Sequence, residues 1–207
     1  MSKVPIEMRV RMAALPVPAP ELVVKYSLLS PARLGGVVRA CRAIHDVPGA
    51  TAEIGCASGG TTRLIVLLCH RQHWACDTFE GLVDAGELDP GLVNGDFRNH
   101  ESTFEGVRQR AADLPGVTVV QGRFPDCATP QMEAATYALV HLDTDTYESM
   151  KAGFSFFGSR MAPGGRLILD DVIGKGTAGA KQFWREADRT GWKVVEENDP
   201  HVILRRI

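Results

Sequence analysis

Short apolar runs alternate along this chain with segments whose apolar positions recur at helical spacing. The runs ATAEIG (50–55), WACD (74–77), VTVVQ (117–121), YALVHL (137–142) and RLILD (166–170) read as strands. Between and before them, residues 31–45, 61–71, 102–114, 147–161 and 178–190 read as helices. Ser30-Pro31 marks the start of the first of these: serine suits the N-cap and proline the first helical position. Pro48-Gly49 marks its end. The tail holds two more strands, 193–197 and 202–206, split by the turn Asn198-Asp199-Pro200. Residues 82–100 are a polar, glycine-rich loop, and the first 20 or so, rich in proline and alanine, read as a loose arm or lid. Helices alternating with apolar strands predict an α/β protein with a mostly parallel sheet of seven strands and helices on both faces. The last two strands are joined only by a turn and predict an antiparallel hairpin at one edge.

Composition narrows the class. With 207 residues the chain is long enough for one domain with a real core. It is 44% hydrophobic and 23% charged, and its net charge of -2 leaves no electrostatic footprint for nucleic acid. The longest apolar run, 64–69, is too short to span a bilayer, and the N-terminal stretch has no continuous apolar core of a secretory signal. The five cysteines, Cys41, Cys56, Cys69, Cys76 and Cys127, include no C-x-x-C pair. Most sit in apolar segments, which points to reduced thiols in a cytoplasmic protein with no membrane partner.

Two groups of residues carry candidate chemistry. In a doubly wound sheet, ligands bind beyond the carboxyl ends of the strands. The first strand runs into Glu53-Ile-Gly55-Cys-Ala-Ser58-Gly59-Gly60-Thr61 and opens a helix. Its glycines let backbone approach a ligand, and the helix start offers N–H groups to an anion. The spacing lacks the G-x-G of dinucleotide folds and favours S-adenosylmethionine (SAM). Asp77, followed by Thr78, ends the second strand and is placed to hydrogen-bond ribose hydroxyls. Gly122-Arg123-Phe124 ends the third and could wall an adenine.

The second group is acidic. The fourth strand ends in His141-Leu-Asp143-Thr-Asp145, the fifth in Asp170-Asp171. One strand–helix–strand crossover separates them, so neighbouring parallel strands would bring Asp143, Asp170 and Asp171 to one rim. Three oxygen ligands with open positions suit Mg²⁺. A cation also explains two adjacent like charges at the end of a buried strand. Asp145, where a helix begins, reads as its cap. The stretch LVHLDTDT also matches the start of haloacid-dehalogenase phosphohydrolases, but that fold needs most of its sheet after this motif and would leave the preceding strands without a role.

The ordered set KYSLLSPARL (25–34), AEIGCASGGTT (52–62), DTFEGL (77–82), VVQGRF (119–124), LDTDTYES (142–149) and APGGRLILDD (162–171) resembles the macrocin O-methyltransferase family, which includes the mycinamicin and novobiocin sugar methyltransferases. The resemblance covers the chain from about residue 25 onward. It implies a class I SAM-dependent, Rossmann-like methyltransferase domain over 25–207, with 1–24 as an arm or lid. It implies SAM and Mg²⁺ as cofactors, methylation of a sugar hydroxyl, and a homo-oligomer such as a dimer. Asp143, Asp170 and Asp171 would hold the metal. Glu53, Gly55, Thr61, Asp77, Gly122, Arg123 and Phe124 would hold SAM, with Leu28 from the KYSLLS segment; Ser58, Gly59 and Thr78 belong to the same binding loops. Val172 stands where a tyrosine often follows the paired aspartates.

The expected reaction is an in-line displacement at sulfonium, in which the protein supplies positioning and electrostatics. Asp143 is the expected base as well as a metal ligand. His100, in the loop expected over the substrate, and His141, inside a strand, compete for that role, and His141 also reads as a core histidine. The substrate would be an antibiotic glycoside or a mannose-type oligo- or polysaccharide. A metal-dependent catechol or phenol methyltransferase would share the fold but want a more aromatic pocket than a chain with 7% aromatic residues offers. A non-catalytic SAM-binding module would not need the acids.

Overall fold

A computed structural model describes residues 15–207. Two helices come first, α1 (Pro20–Tyr26) and α2 (Pro31–Ala43). Then follow β1 (Ala50–Ile54), α3 (Gly60–Cys69), β2 (His73–Asp77), α4 (Phe104–Arg110) and β3 (Val117–Gln121). The second half runs α5 (Pro130–Ala134), β4 (Tyr137–Leu142), α6 (Tyr147–Gly158), β5 (Met161–Leu169), α7 (Ala178–Glu186), β6 (Trp192–Asn198) and β7 (His201–Arg206). The strands form one sheet in the order β3-β2-β1-β4-β5-β7-β6. The first five are parallel; β7 runs antiparallel to both β5 and β6. The strand order reverses between β1 and β4, which makes their carboxyl ends the place for a ligand crevice.

Side chains alternate between two cores. Leu139, Ile168 and Ile203 share the face covered by α1, α2 and α3 with Val24, Val37 and Leu64. Val140, Leu167, Leu169 and Val202 face α6 and α7, where Met150, Phe157 and Phe183 cover them. Strands buried on both faces explain why YALVHL reads as a continuous apolar run. Each fully buried side chain of this size contributes about 2 kcal/mol or more. No helix among the described residues is long and apolar enough to cross a membrane.

The helix starts follow their caps. Ser30, Thr103 and Thr129 each accept a hydrogen bond from the backbone N–H three residues on. Three expectations need correction. A helix, α1, occupies part of the supposed loose arm; its Val23 and Val24 are buried against α2 and α3, so the 24/25 boundary falls inside an element. Residues 1–14 of that arm lie outside the described residues. Strand β5 begins at Met161, not 166, because Tyr137 pairs with Met161 across a register shift that accommodates the Pro163-Gly164-Gly165 turn signal. Asp145 does not cap α6: the N-cap is Thr146, and Asp145 takes a left-handed backbone (φ 61°) that turns it elsewhere.

Candidate functional site

The carboxyl ends of all five parallel strands open into one cavity of about 400 Å³, within the usual range for small-molecule sites. Gly55 beyond β1, Asp77 at the tip of β2, Gly122 beyond β3, Asp143 beyond β4 and Asp171 beyond β5 all line it. Five residues of its wall other than glycine hold positive φ: Ala57, Phe79, Phe97, Asp145 and Asp171. Strained backbone of this kind persists where surrounding contacts enforce it. At Gly55 (φ +87°) a Cβ would stand 1.8 Å from the carbonyl oxygen of Asp143, so only glycine lets the β1 and β4 ends close on each other.

On the β1–β3 side the cavity is lined by Leu28, Asp77, Thr78, Phe79, Arg123 and Phe124, among others. The Asp77 carboxylate accepts from the Ala57 N–H and from the Phe79 N–H, both at 2.8 Å, and so joins the two loops. Burial pushes its carboxyl up, against those hydrogen bonds, which pull it down. Each oxygen keeps a further lone pair for a ligand hydroxyl. The Thr78 hydroxyl donates to the Gly81 carbonyl. Phe124 is stacked on Phe157, with ring centroids 5.3 Å apart, which fixes its ring in the wall. Leu28 stands at the mouth, 74% exposed. Arg123 is held by Asp84 at 2.9 Å and Asp126 at 2.7 Å.

Four residues expected at the cofactor lie behind this wall instead. Glu53 is buried, accepts from the Thr62 hydroxyl and bonds His141 Nδ1 at 3.0 Å. Thr61 bonds the Ser27 hydroxyl at 2.8 Å, tying α3 to the KYSLLS segment. Ser58 bonds the Ser102 hydroxyl, and Ser58 and Gly59 line a second, smaller cavity between α3 and α4.

On the β4–β5 side the acids gather. Asp143, Asp145 and Asp171 bring carboxylate oxygens within 4.8 Å of one another, and so do Asp143 and Asp170 together with a ring nitrogen of His141. Asp143 is therefore common to both groups. Burial, then Asp170, Asp145 and Asp171, push its carboxyl well above the usual range. Burial and Asp171 push Asp145 to about 7, and burial and Asp170 raise Asp171. Like charges pressed together in this way disfavour one another's ionised form. Among the described residues, Arg33 is the cation paired with them: its Nη1 donates to Asp170 Oδ2 at 2.8 Å. Asp170 is fully buried and also accepts from the Asp171 N–H. His100 is exposed and does not line the cavity.

Sequence reading missed the lid's anchor. Asp89, in the loop 82–100, is buried and accepts from the Tyr147 N–H at 2.8 Å and the Gly86 N–H at 3.0 Å. It caps α6 in place of Thr146, which makes no side-chain cap bond. Asp84 of the same loop accepts from the Ser149 hydroxyl. These ties hold Leu82, Val83, Phe97 and Arg98 over the cavity.

Known proteins resemble this chain in sequence and in fold. A model of the macrocin-O-methyltransferase family (TylF) matches residues 2–198. The chain is 33% identical to 8-demethyl-8-(2,3-dimethoxy-alpha-L-rhamnosyl)-tetracenomycin-C 4'-O-methyltransferase of Streptomyces olivaceus, over 60% of this chain and 53% of that protein. It spans about half the length of the curated relatives it matches. Its fold is similar to that of the O-methyltransferase NovP, with a TM-score of 0.69 and 23% identity over 87% of this chain and 82% of that one. The calicheamicin methyltransferase CalS11 is also similar in fold: TM-score 0.69, 19% identity, 96% of this chain and 89% of that one. The fold is thus that of the class I SAM-dependent methyltransferases.

Proposed function

The chain belongs to the macrocin O-methyltransferase family, and from that premise we propose that it moves the methyl group of SAM to a hydroxyl of a sugar or glycoside with the help of a divalent cation. The observation that supports this reading is the convergence of the nucleoside-type wall and the acid cluster on one cavity. Asp77 would hold the ribose, and Gly122 and Phe124 the adenine. The backbone of Gly55 and Ala57 would face the amino-acid end. Glu53, Ser58, Gly59 and Thr61 support these loops from behind.

The donor set fits a hard cation of the Mg²⁺ type: carboxylates in excess, pressed together, with room in the cavity for substrate oxygens. Asp143, Asp145, Asp170 and Asp171 are the residues to hold it. Bound there, the ion would lower the pKa of the attacking hydroxyl. Asp143, the acid common to both groups, takes the hydroxyl proton in this reading. The cavity walls orient the acceptor oxygen toward the methyl carbon, and the lid 82–100 excludes water. The exposed apolar side chains of Leu28 and Phe97 at the mouth suit an acceptor sugar that carries an apolar aglycone.

The test is transfer from labelled SAM to a panel of glycosides, with Mg²⁺ and with EDTA. Transfer to a glycoside is expected, abolished by EDTA and restored by Mg²⁺. Asp143→Asn is expected to lower turnover by about 10²-fold or more with an unchanged circular dichroism spectrum. Transfer to phenols alone, or near-normal turnover in that variant, would overturn the reading.

A further inference from the structure

We propose that Cys76 and Cys127 form a peroxide-sensitive thiol pair built into the cofactor wall, and that joining them in a disulfide weakens the binding of SAM. The consequence for SAM rests on the reading above; the thiol chemistry does not. Cys76 lies on β2, one position before Asp77, and lines the cavity. Cys127 closes the turn that follows β3: its N–H donates to the Arg123 carbonyl at 3.0 Å. The two thiols share a hydrogen bond, and both side chains pack in one core cluster. Cys76 is fully buried, and Cys127 is half-buried and the nearer of the two to solvent. Cys41 and Cys69 share such a contact as well, but neither lines the cavity.

The shared hydrogen bond gives the thiols different roles. It pulls the Cys127 thiol down, while burial pushes it up; the same bond, and then burial, push Cys76 well up. The thiol that ionises more readily, lies nearer solvent and has a second thiol beside it is the one that meets a peroxide first. The Cys127 sulfur attacks one oxygen of hydrogen peroxide, the O–O bond breaks, and the leaving hydroxide takes the thiol proton as water. The Cys76 sulfur then attacks the sulfenic sulfur of Cys127; the S–S bond forms, and the hydroxyl leaves with the Cys76 proton as a second water. Two thiols lose two electrons, and one peroxide is reduced to two waters.

The fold passes this change to the cofactor wall. Sulfurs in a disulfide sit closer than a hydrogen bond holds them. Cys76 is fixed, because β2 is paired on both sides: Cys76 faces Ile54 of β1 and Val120 of β3. The turn 122–127 therefore has to move. At Gly122 a Cβ would stand 2.7 Å from Cys127 Cβ, so no slack separates the two residues. A shift of Cys127 displaces Gly122 and Phe124, the side of the wall read above as holding adenine.

The experiment treats the reduced full chain with hydrogen peroxide, maps its thiols by alkylation and peptide mass spectrometry, and measures SAM affinity by calorimetry before and after. The expected result is a peptide pair cross-linked through Cys76 and Cys127, with SAM bound about tenfold more weakly and full recovery after dithiothreitol. By linkage, saturating SAM should shift the thiol–disulfide balance in a glutathione buffer toward the thiols by the same factor. Cys127→Ser should bind SAM as the reduced protein does and keep that affinity after peroxide, although Cys41 and Cys69 are still present. Oxidation that stops at a sulfinic acid of Cys127, with no cross-link to Cys76, would overturn the inference. So would a cross-linked protein that binds SAM as tightly as the reduced one, or an equal loss of affinity in peroxide-treated Cys127→Ser. Reduced protein that binds no SAM would instead bring down the cofactor reading, a result the thiol map is independent of.

Discussion

His73 opens β2 with its ring fully buried, bonded through Nδ1 to the Thr51 hydroxyl at 2.8 Å. Burial pushes its imidazole down to about 4 from an ordinary value of 6.5. The unfolded chain therefore binds a proton between those values that the folded one refuses. Folding stability contributed by this group is complete above pH 6.5 and falls as the pH drops toward 4, by up to roughly 3 kcal/mol. Urea denaturation at pH 7 and pH 4.5 should show that slope in the unaltered protein. His73→Gln should be less stable at pH 7 and lose less on acidification. Parallel losses in the two proteins would rule out His73 as the source. The same residue scale explains why Glu53 misled the sequence reading. Its position at the end of β1 is where a cofactor ligand is expected, yet its two oxygens are already engaged by Thr62 and His141. The partner that decides its role lies 88 positions along the chain.

The loop 82–100 shows how an element without regular structure is held in place. Asp89 fixes it by capping α6, a helix that has no cap of its own beside it in sequence. Replacing Asp89 with alanine removes a cap worth about 1–2 kcal/mol and frees the loop from α6. Thermal unfolding should move down accordingly. In the methyl-transfer assay KM for the acceptor should rise, with the affinity for SAM little changed, because the β1–β3 wall keeps its own ties. A fall in SAM affinity equal to the acceptor effect would show that the loop closes on the cofactor instead. Polar composition and glycines marked this stretch as a loop, but the side chain that secures it could not be told from the other acids around it. Local sequence was a better guide at Ser30, which caps α2 as read; Thr103 and Thr129 make the same bond within three residues, but the sequence reading began α4 at 102 and did not read α5.

At the scale of the whole molecule, the tail is interior to the sheet. Strand β7 lies between β5 and β6, and Val202, Ile203 and Leu204 are buried on both of its faces. At about 1.5–3 kcal/mol for each such side chain, these three alone are comparable with the net stability of a domain, roughly 5–15 kcal/mol. A chain truncated after Asn198 is expected to lose near-ultraviolet circular dichroism and to aggregate through the uncovered edge of β5. A cooperative thermal transition in that truncated chain would show that the parallel strands suffice. The edge strand of this hairpin, β6, carries Lys193, Glu196 and Glu197, charges that discourage pairing with another chain.

The sequence by itself determined the alternation of strands and helices, the parallel core with its antiparallel end, and the tip of each strand where chemistry collects. Those features depend on local periodicity, on turn residues and on acids that end apolar runs, all of which are written within a few neighbouring residues. Only the tertiary structure decided which acids meet. Asp145 reads as a helix cap from its neighbours, yet its left-handed backbone brings it to Asp143 and Asp171. Asp170 reads as an open ligand, yet it is fully buried under Arg33. His141 reads as a core residue or a competing base, and the structure buries it fully, with its Nδ1 bonded to Glu53. Contacts between side chains far apart in the chain depend on register, backbone dihedral and packing together, and no stretch of sequence carries all three.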